Sequence, residues 1–195
     1  MFIIGLTGGI GSGKSTAANI LKEMGLKIID LDQISHNIMK AGEPGYNKIL
    51  KNFGDKYLDK NNNFDRKHLR DDMFSSIDLK QRIELILHPI IFEECKNQLN
   101  KLSHEEFVVL VVPLLFETKN YTNLISESLL IDCDLKSQIK RVIKRDGLSE
   151  VLVKKIVASQ MSRDRKLSLA NKVIYNNGNM NNLKTQLENY YKNLL

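Results

Sequence analysis

The feature that most constrains the fold is a glycine-rich stretch near the amino terminus, Gly8-Gly9-Ile10-Gly11-Ser12-Gly13-Lys14-Ser15. It matches the phosphate-binding pattern G-x-x-x-x-G-K-[ST] at every fixed position. Residues 2–7 before it are apolar and typical of a buried strand, whereas residues 16–24 carry apolar side chains at helical spacing and end at Gly25. A strand, a glycine loop and a helix in this order form the context that the pattern requires, which disfavours a chance turn.

This pattern indicates a site for nucleotide phosphates. Glycines let backbone N–H groups approach a phosphate closely, and the following helix directs the partial positive charge of its N-terminus at the same place. Lys14 would reach the β- and γ-phosphates of ATP, and the Ser15 hydroxyl would bind Mg²⁺.

Composition limits the remaining possibilities. The 195 residues are 42% hydrophobic, which suits one domain with inserted segments. No apolar run reaches the length of a membrane span, and Met1 leads directly into the first predicted strand, so we expect a cytoplasmic protein without a targeting segment.

The net charge of +6 is spread along the chain without a nucleic-acid-binding motif, so we expect part of this positive charge to bind phosphates. Cys95 and Cys133 lack metal-ligand spacing and are expected to be buried and reduced.

A second strand is predicted over residues 26–32, and it ends in two acids. On an extended chain Asp30 and Asp32 would point the same way, and ligands of open α/β sheets lie beyond the C-terminal ends of strands. Asp32 could therefore accept a proton from a substrate hydroxyl. The alternative is that Asp32 caps the helix that follows.

Residues from about 45 to 102 are predicted to be mostly helical. This is far longer than a normal connection between strands, which suggests an inserted subdomain for the acceptor substrate. Pro89 is expected to interrupt the helix after His88, with a new amphipathic helix from Ile90 to Leu102. For His88, a structural histidine is the stronger interpretation.

Three further strands are predicted over residues 107–112, 128–133 and 172–178. Glu117 follows the first of them, either as an acid near the metal or as a surface acid. The helix after the second has a predicted apolar side of Leu135, Ile139, Val142 and Ile143 and ends at Asp146-Gly147.

Arginines near this helix are candidates for a mobile lid. Arg141, Arg145 and Arg163 could stabilise the negative charge of a transferring phosphoryl group. The alternative is a solvated basic face.

These motifs, in this order, resemble the dephospho-coenzyme A kinase family. The resemblance covers nearly the whole chain and rests on the following stretches: Leu6 to Thr16, Asp30-Leu31-Asp32, Leu69-Arg70 with Phe74, Leu87-His88-Pro89, Val112 to Glu117, Lys140-Arg141 with Arg145-Asp146, Gln160 with Arg163, and Asn176-Asn177-Gly178. Tyr175 is a departure, because family members often have an acid there.

The resemblance implies a role for each matching residue. Asp32 would be the base that deprotonates the 3′-hydroxyl of the acceptor ribose, and Asn177 would lie near the adenine. The other implied groups are the ATP-phosphate residues Gly8, Gly11, Ser12, Gly13, Lys14, Ser15 and Thr16, the lid residues Arg141, Arg145 and Arg163, and the acceptor-site residues Asp32, Arg70, His88, Leu114 and Glu117.

The sequence therefore predicts an α/β P-loop NTPase fold, a three-layer α/β/α domain with a five-stranded parallel sheet. The single domain would comprise a core (1–58, 103–139 and 169–195), an acceptor-binding helical insertion at about 60–102 and a lid at about 140–168.

The predicted reaction is ATP- and Mg²⁺-dependent phosphorylation of dephospho-coenzyme A, the last step of coenzyme A biosynthesis, by a monomer or small homo-oligomer without nucleic-acid or membrane partners. One alternative is another small-molecule P-loop kinase, for a nucleoside, a nucleotide or a sugar acid. The other is a nucleotide-gated binding switch.

Overall fold

The structure, a computed structural model, describes residues 1–118 and 120–195 of the chain, without the side chains of Arg66 and Phe74. The predicted contribution of Phe74 therefore lies outside the described residues. The chain divides into two compact units, one formed by Met1–Asp30 with Leu102–Leu195 and the other by Leu31–Lys101.

The first unit contains a parallel sheet. Its strands are β1 (Phe2–Thr7), β2 (Lys27–Asp30), β3 (Phe107–Val111), β4 (Glu127–Asp132) and β5 (Lys172–Tyr175). They lie in the order β2-β3-β1-β4-β5, and all neighbouring pairs are parallel. The predicted five-stranded parallel sheet is thereby confirmed.

Helices connect these strands and cover both sides of the sheet. In chain order they are α1 (Lys14–Glu23), α2 (Leu31–Ile38), α3 (Pro44–Phe53), α4 (Arg66–Ser75), α5 (Ile77–Lys101), α6 (Leu115–Thr118), α7 (Leu135–Asp146), α8 (Glu150–Ala158), α9 (Arg163–Leu169) and α10 (Met180–Lys192). No helix in the described part of the chain is both long and apolar enough to cross a membrane.

The main core lies where α1 and α10 pack on the sheet. Leu6 and Val111 from the strands, Leu21 from α1 and Leu187 from α10 belong to one cluster of buried side chains. Strands that are apolar along their whole length, such as β3, are typical of a parallel sheet that is covered on both faces. The core therefore fixes β1 and α1, and with them the two ends of the glycine loop.

The second unit consists of α2 to α5 and a short 3₁₀ helix at Gly54–Tyr57. It begins at Leu31, so it includes α2 and α3 as well as the segment from about 60 that we expected to be inserted.

The strand predicted over residues 26–32 extends too far. The structure ends β2 at Asp30 and places Asp32 in the first turn of α2. The prediction that Asp30 and Asp32 lie on one extended strand is therefore wrong. An acid is favourable in a first helical turn because the N-terminus of a helix carries partial positive charge.

The predicted break at Pro89 is also wrong, because α5 runs unbroken from Ile77 to Lys101 with this proline inside it. A proline within a helix costs about 3 kcal/mol or more. On both sides of Pro89, side chains at four-residue spacing are buried, namely Ile83, Leu87, Ile91, Cys95 and Leu99. Packing of this continuous stripe offsets the cost, which the local rule for proline does not include.

Candidate active site

The glycine loop connects β1 to α1 through two glycines with left-handed backbone. Gly11 and Gly13 have φ angles of 72° and 97°, in the left-handed region that side chains rarely adopt. A Cβ at Gly13 would also collide with the side-chain amide of Asn176. Lys14, Ser15 and Thr16 form the first turn of α1, directly beyond the loop. Free N–H groups of a helix N-terminus therefore lie at this end of the loop.

Side-chain donors hold the carbonyl groups of the loop. The Asn176 Nδ2 donates to the Ser12 carbonyl at 2.7 Å, and Arg141 Nη1 donates to the carbonyls of Gly11 and Ser12 at 3.3 Å each. Arg141 Nη2 also donates to the Asn176 carbonyl at 2.7 Å. Arg141 and Asn176 thus tie α7, β5 and the loop together. Because the carbonyl and N–H of a trans peptide point in opposite directions, these contacts orient the loop.

Two glutamines hold the peptide groups of Ile10. Gln138 Nε2 on α7 donates to the Ile10 carbonyl at 3.0 Å, and the Ile10 N–H donates to Gln160 Oε1 at 3.1 Å. Gln160 follows α8, so this pair of contacts connects the predicted lid segment to the loop.

The two other predicted lid arginines contact carboxylates. Arg163 donates from Nε to both oxygens of Asp132 at 3.0 Å and from Nη2 to one of them at 2.6 Å. Hydrogen bonding to Asp132 raises the pKa of Arg163. Arg145 donates to the adjacent Asp146 at 2.7 and 2.8 Å, and this contact lowers the pKa of Asp146. Of the three arginines, only Arg141 contacts the loop in this conformation.

The remaining predicted residues of the first unit lie near the same segments. Glu117 Oε1 accepts a hydrogen bond from the Met161 N–H at 3.0 Å, which places its carboxylate beside the α8–α9 connection. Leu114 precedes α6 and is 39% exposed. Asn177 Oδ1 accepts from the Asp134 N–H at 2.9 Å, immediately before α7.

The other predicted acceptor residues belong to the second unit. Asp32 on α2, Arg70 on α4 and His88 on α5 all have exposed side chains. Arg70 lies 3.9 Å from the carboxylate of Asp71, which is a weak surface contact.

A cavity of about 270 Å³ opens beside the loop in the first unit. Its walls include Gly9 and Ser12 of the loop, the end of β4, and residues of α8, α9 and their connection. The Ser12 Oγ is buried without a hydrogen-bond partner among the described residues. An unpaired buried hydroxyl is costly, so it marks a position where a ligand or water can bind.

Sequence reasoning missed three residues that surround the loop, Asp132, Gln138 and Lys166, and noted Gln160 and Asn176 only as part of the resemblance. Asp132 ends β4 and Asn176 follows β5, so the rule that ligands lie beyond strand ends was a usable signal for both. Gln138 could have been noticed as a polar residue one turn before the apolar Val142. Nothing in the sequence distinguishes Lys166 from the other lysines.

Comparison with known proteins agrees with this geometry. The family model for dephospho-CoA kinase matches residues 2–182. The dephospho-CoA kinase of Nitrosospira multiformis is 38% identical over 192 residues, which cover 98% of this chain and 96% of that protein. A crystal structure from Thermus thermophilus has a TM-score of 0.81 and 30% identity and covers 100% of this chain and 98% of its own. The dephospho-CoA kinase of Campylobacter jejuni has a TM-score of 0.72 and 29% identity and covers 99% of this chain and 96% of its own.

The match extends over almost the whole length of both this chain and its relatives, and it includes the glycine loop with its left-handed backbone at Gly11 and Gly13. The chain therefore belongs to the dephospho-CoA kinase family, whose members are P-loop transferases that use ATP.

Proposed function

We propose that this chain transfers the γ-phosphoryl group of ATP to the 3′-hydroxyl of the ribose of dephospho-CoA, which gives CoA in the last step of its biosynthesis. This proposal rests on the family match over residues 2–182. In the reaction, the acceptor oxygen forms a bond to the γ-phosphorus, the bond from that phosphorus to the β–γ bridging oxygen breaks, and ADP leaves. The hydroxyl proton passes to a base.

The loop from Gly8 to Thr16 binds the ATP phosphates in this proposal. Its support is the left-handed backbone at Gly11 and Gly13 and the helix N-terminus that follows. Lys14 neutralises the charge of the transferring group. Asn177 contacts the adenine, a role that rests on the family resemblance.

A magnesium ion fits the oxygen donors that the chain provides. The Ser15 hydroxyl is exposed in the first turn of α1. Among the described residues, no group of three or more His, Cys, Asp or Glu side chains could hold a metal. Mg²⁺ is usually held by one or two protein ligands together with substrate phosphates and water, so a pre-formed cage is unnecessary. When bound, the ion neutralises charge on the β- and γ-phosphate oxygens.

The segment from about 140 to 168 is proposed to act as a lid. Arg145 and Arg163 are bound to carboxylates in the present conformation and are about half or more exposed. We infer that they exchange these carboxylates for phosphate oxygens when ATP binds, because both anions accept bidentate hydrogen bonds from guanidinium. Arg141 holds the loop throughout. Closure of the segment would exclude water from the transferring group.

The unit Leu31–Lys101, with the proposed insertion at about 60–102 inside it, is assigned to the acceptor. Asp32 is the proposed base because its carboxylate is exposed at the start of the helix that follows β2. The resemblance assigns Arg70, His88, Leu114 and Glu117 to the dephospho-CoA site. We also propose that the enzyme acts in the cytoplasm as a monomer or small homo-oligomer.

An ADP-release assay with ATP and a panel of acceptors tests the reaction. We expect dephospho-CoA to be the preferred acceptor, ahead of a nucleoside, a nucleotide and a sugar acid. Addition of EDTA should stop the reaction, and excess Mg²⁺ should restore it. Preference for another acceptor, or ADP release that is independent of any acceptor, would contradict the proposal.

Two variants test the assigned roles. Lys14→Ala should lower kcat by at least about 10³-fold without unfolding the protein, because this lysine serves the ligand. Asp32→Asn should lower kcat more than it lowers ATP affinity. A folded Lys14→Ala variant with normal turnover, or an Asp32→Asn variant that loses only ATP binding, would reassign these residues.

A further inference from the structure

Lys166 on α9 lies beside the glycine loop, although neither the sequence pattern nor the family resemblance gave it a role. Its Nζ is 3.2 Å from the position that a Cβ would take at Gly9. Lys166 also lines the cavity that contains Gly9 and Ser12. Glycine at position 9 therefore allows an ammonium group to approach the backbone of the loop.

The ammonium group of Lys166 has no anionic partner among the residues that the structure describes. No carboxylate of the described residues lies within 4.0 Å of it. The two acids that act on its pKa, Glu117 and Asp132, accept hydrogen bonds from the Met161 N–H and from the Arg163 guanidinium. Burial lowers the pKa of Lys166, while Glu117 and Asp132 act in the opposite direction. A half-buried ammonium without a partner is costly, so the position favours an anion that is absent from the apo protein.

The polar groups around Lys166 differ in whether they have hydrogen-bond partners. Gln138 and Gln160, which also approach Gly9, each form a hydrogen bond with a peptide group of Ile10. In contrast, the Ser12 Oγ, which lines the same cavity and is 1% exposed, has no partner among the described residues. A cation and a hydroxyl thus remain unsatisfied in one cavity at the edge of the phosphate-binding loop. Both groups can donate a hydrogen bond to a phosphate oxygen.

We propose that Lys166 is a second phosphate-contacting lysine, which donates to the oxygens of the γ-phosphoryl group of ATP during transfer. This inference rests on the proposed kinase reaction and adds a residue to it. Phosphoryl transfer is accelerated mainly by positioning and by fixed charges where negative charge develops. Lys166 provides such a charge from α9, next to Gly9, whereas Lys14 provides one from α1.

The test compares Lys166→Met, which keeps the length and removes the charge, with Lys166→Arg, which keeps the charge. Lys154→Met on α8 is the matched control, because Lys154 is exposed and pairs only with Glu150 at 2.7 Å among the described residues. We expect Lys166→Met to lower kcat by about 10²-fold, the usual effect of removing one donor to a transition state. Lys166→Arg should recover at least about a tenth of wild-type kcat, and Lys154→Met should stay within about twofold.

Two further measurements separate a ligand-binding role from a structural one. The melting temperature of apo Lys166→Met should equal or exceed that of the wild type, because the substitution removes an unpaired, partly buried charge. Calorimetry should show weaker binding of a non-hydrolysable ATP analogue with nearly unchanged binding of ADP.

The proposal is overturned if folded Lys166→Met has a kcat within about threefold of wild type. It is also overturned if the variant loses activity only in proportion to lost melting temperature, or if ADP binding falls as much as that of the ATP analogue. Failure of the wild-type acceptor assay would instead reject the kinase reaction itself, so the two failures are distinguishable.

Discussion

Helix α7 buries polar side chains beside the glycine loop and leaves apolar side chains exposed on its other side. Beside the loop, Gln138 is buried and Arg141 donates to the carbonyls of the loop. On the other side, Leu135 and Ile143 are 49% and 36% exposed. A surface helix normally shows the opposite arrangement, with its apolar stripe toward the core. The difference indicates that α7 is positioned by hydrogen bonds as much as by apolar packing.

The loop itself explains this inversion. Its carbonyl groups lie outside regular secondary structure, and buried backbone acceptors must find donors. An apolar side chain at position 138 or 141 would leave such acceptors unsatisfied, at a cost of about 1–3 kcal/mol each. On the outer face, the lysines that flank the stripe can cover part of it with their apolar stems. The four lysines concerned are Lys136, Lys140, Lys144 and Lys154.

The largest expected difference concerns Arg141 and Arg145, which lie one turn apart on α7. Arg141 donates to the carbonyls of the loop, whereas Arg145 donates to the adjacent Asp146 at the exposed surface. Arg141→Ala should lower the free energy of unfolding by about 2 kcal/mol, because the carbonyls of Gly11, Ser12 and Asn176 lose a charged donor. Arg145→Ala should cost less than about 0.5 kcal/mol, since its contact with Asp146 is exposed. Urea unfolding of the apo proteins measures both values.

Activity assays also distinguish Arg141→Ala from Arg145→Ala. Arg141→Ala should also weaken ATP binding because it releases the loop, whereas Arg145→Ala should lower kcat in a protein of nearly wild-type stability. Equal stability losses in the two variants would show that the contacts of Arg141 with the loop do not stabilise the fold.

A smaller effect is expected for Gln138→Leu, which preserves volume but removes the donor to the Ile10 carbonyl. The free energy of unfolding should fall by about 1 kcal/mol, and kcat should fall because the loop is less well oriented. Lys140→Ala on the outer face is the control and should change neither quantity measurably. An unchanged kcat in Gln138→Leu would mean that the other contacts suffice to hold the loop.

The sequence could predict the loop and the sheet because both are determined locally. Glycine at positions 11 and 13 permits the left-handed backbone that the loop adopts, and the valine-rich run at 107–112 has few alternatives to a buried strand. The end of α7 was predicted for the same reason, since Gly147 adopts the left-handed conformation of a helix cap.

Features that depend on tertiary partners were not predictable in this way. The apolar side predicted for α7 was Leu135, Ile139, Val142 and Ile143. Of these Val142 is buried, but Leu135 and Ile143 are exposed, and the polar Gln138 is buried. Helical periodicity identifies a stripe, yet it does not reveal that the packing partner is a loop with unpaired carbonyls. The same limit applies to Lys166, whose position depends on how α9 lies against Gly9.

The smallest effect is expected on the solvent face of α7. Replacement of Leu135 and Ile143 together by glutamine should change the free energy of unfolding by no more than about 0.5 kcal/mol, because both side chains already contact water extensively. Val142→Ala is the matched comparison on the buried face, where loss of a fully packed side chain should cost more. Activity should be unchanged in the glutamine double variant, because the hydrogen bonds from α7 to the loop come from Gln138 and Arg141. A stability loss as large as that of Val142→Ala would indicate that the apolar stripe is packed in solution, and the contrast between the two faces of α7 would then no longer hold.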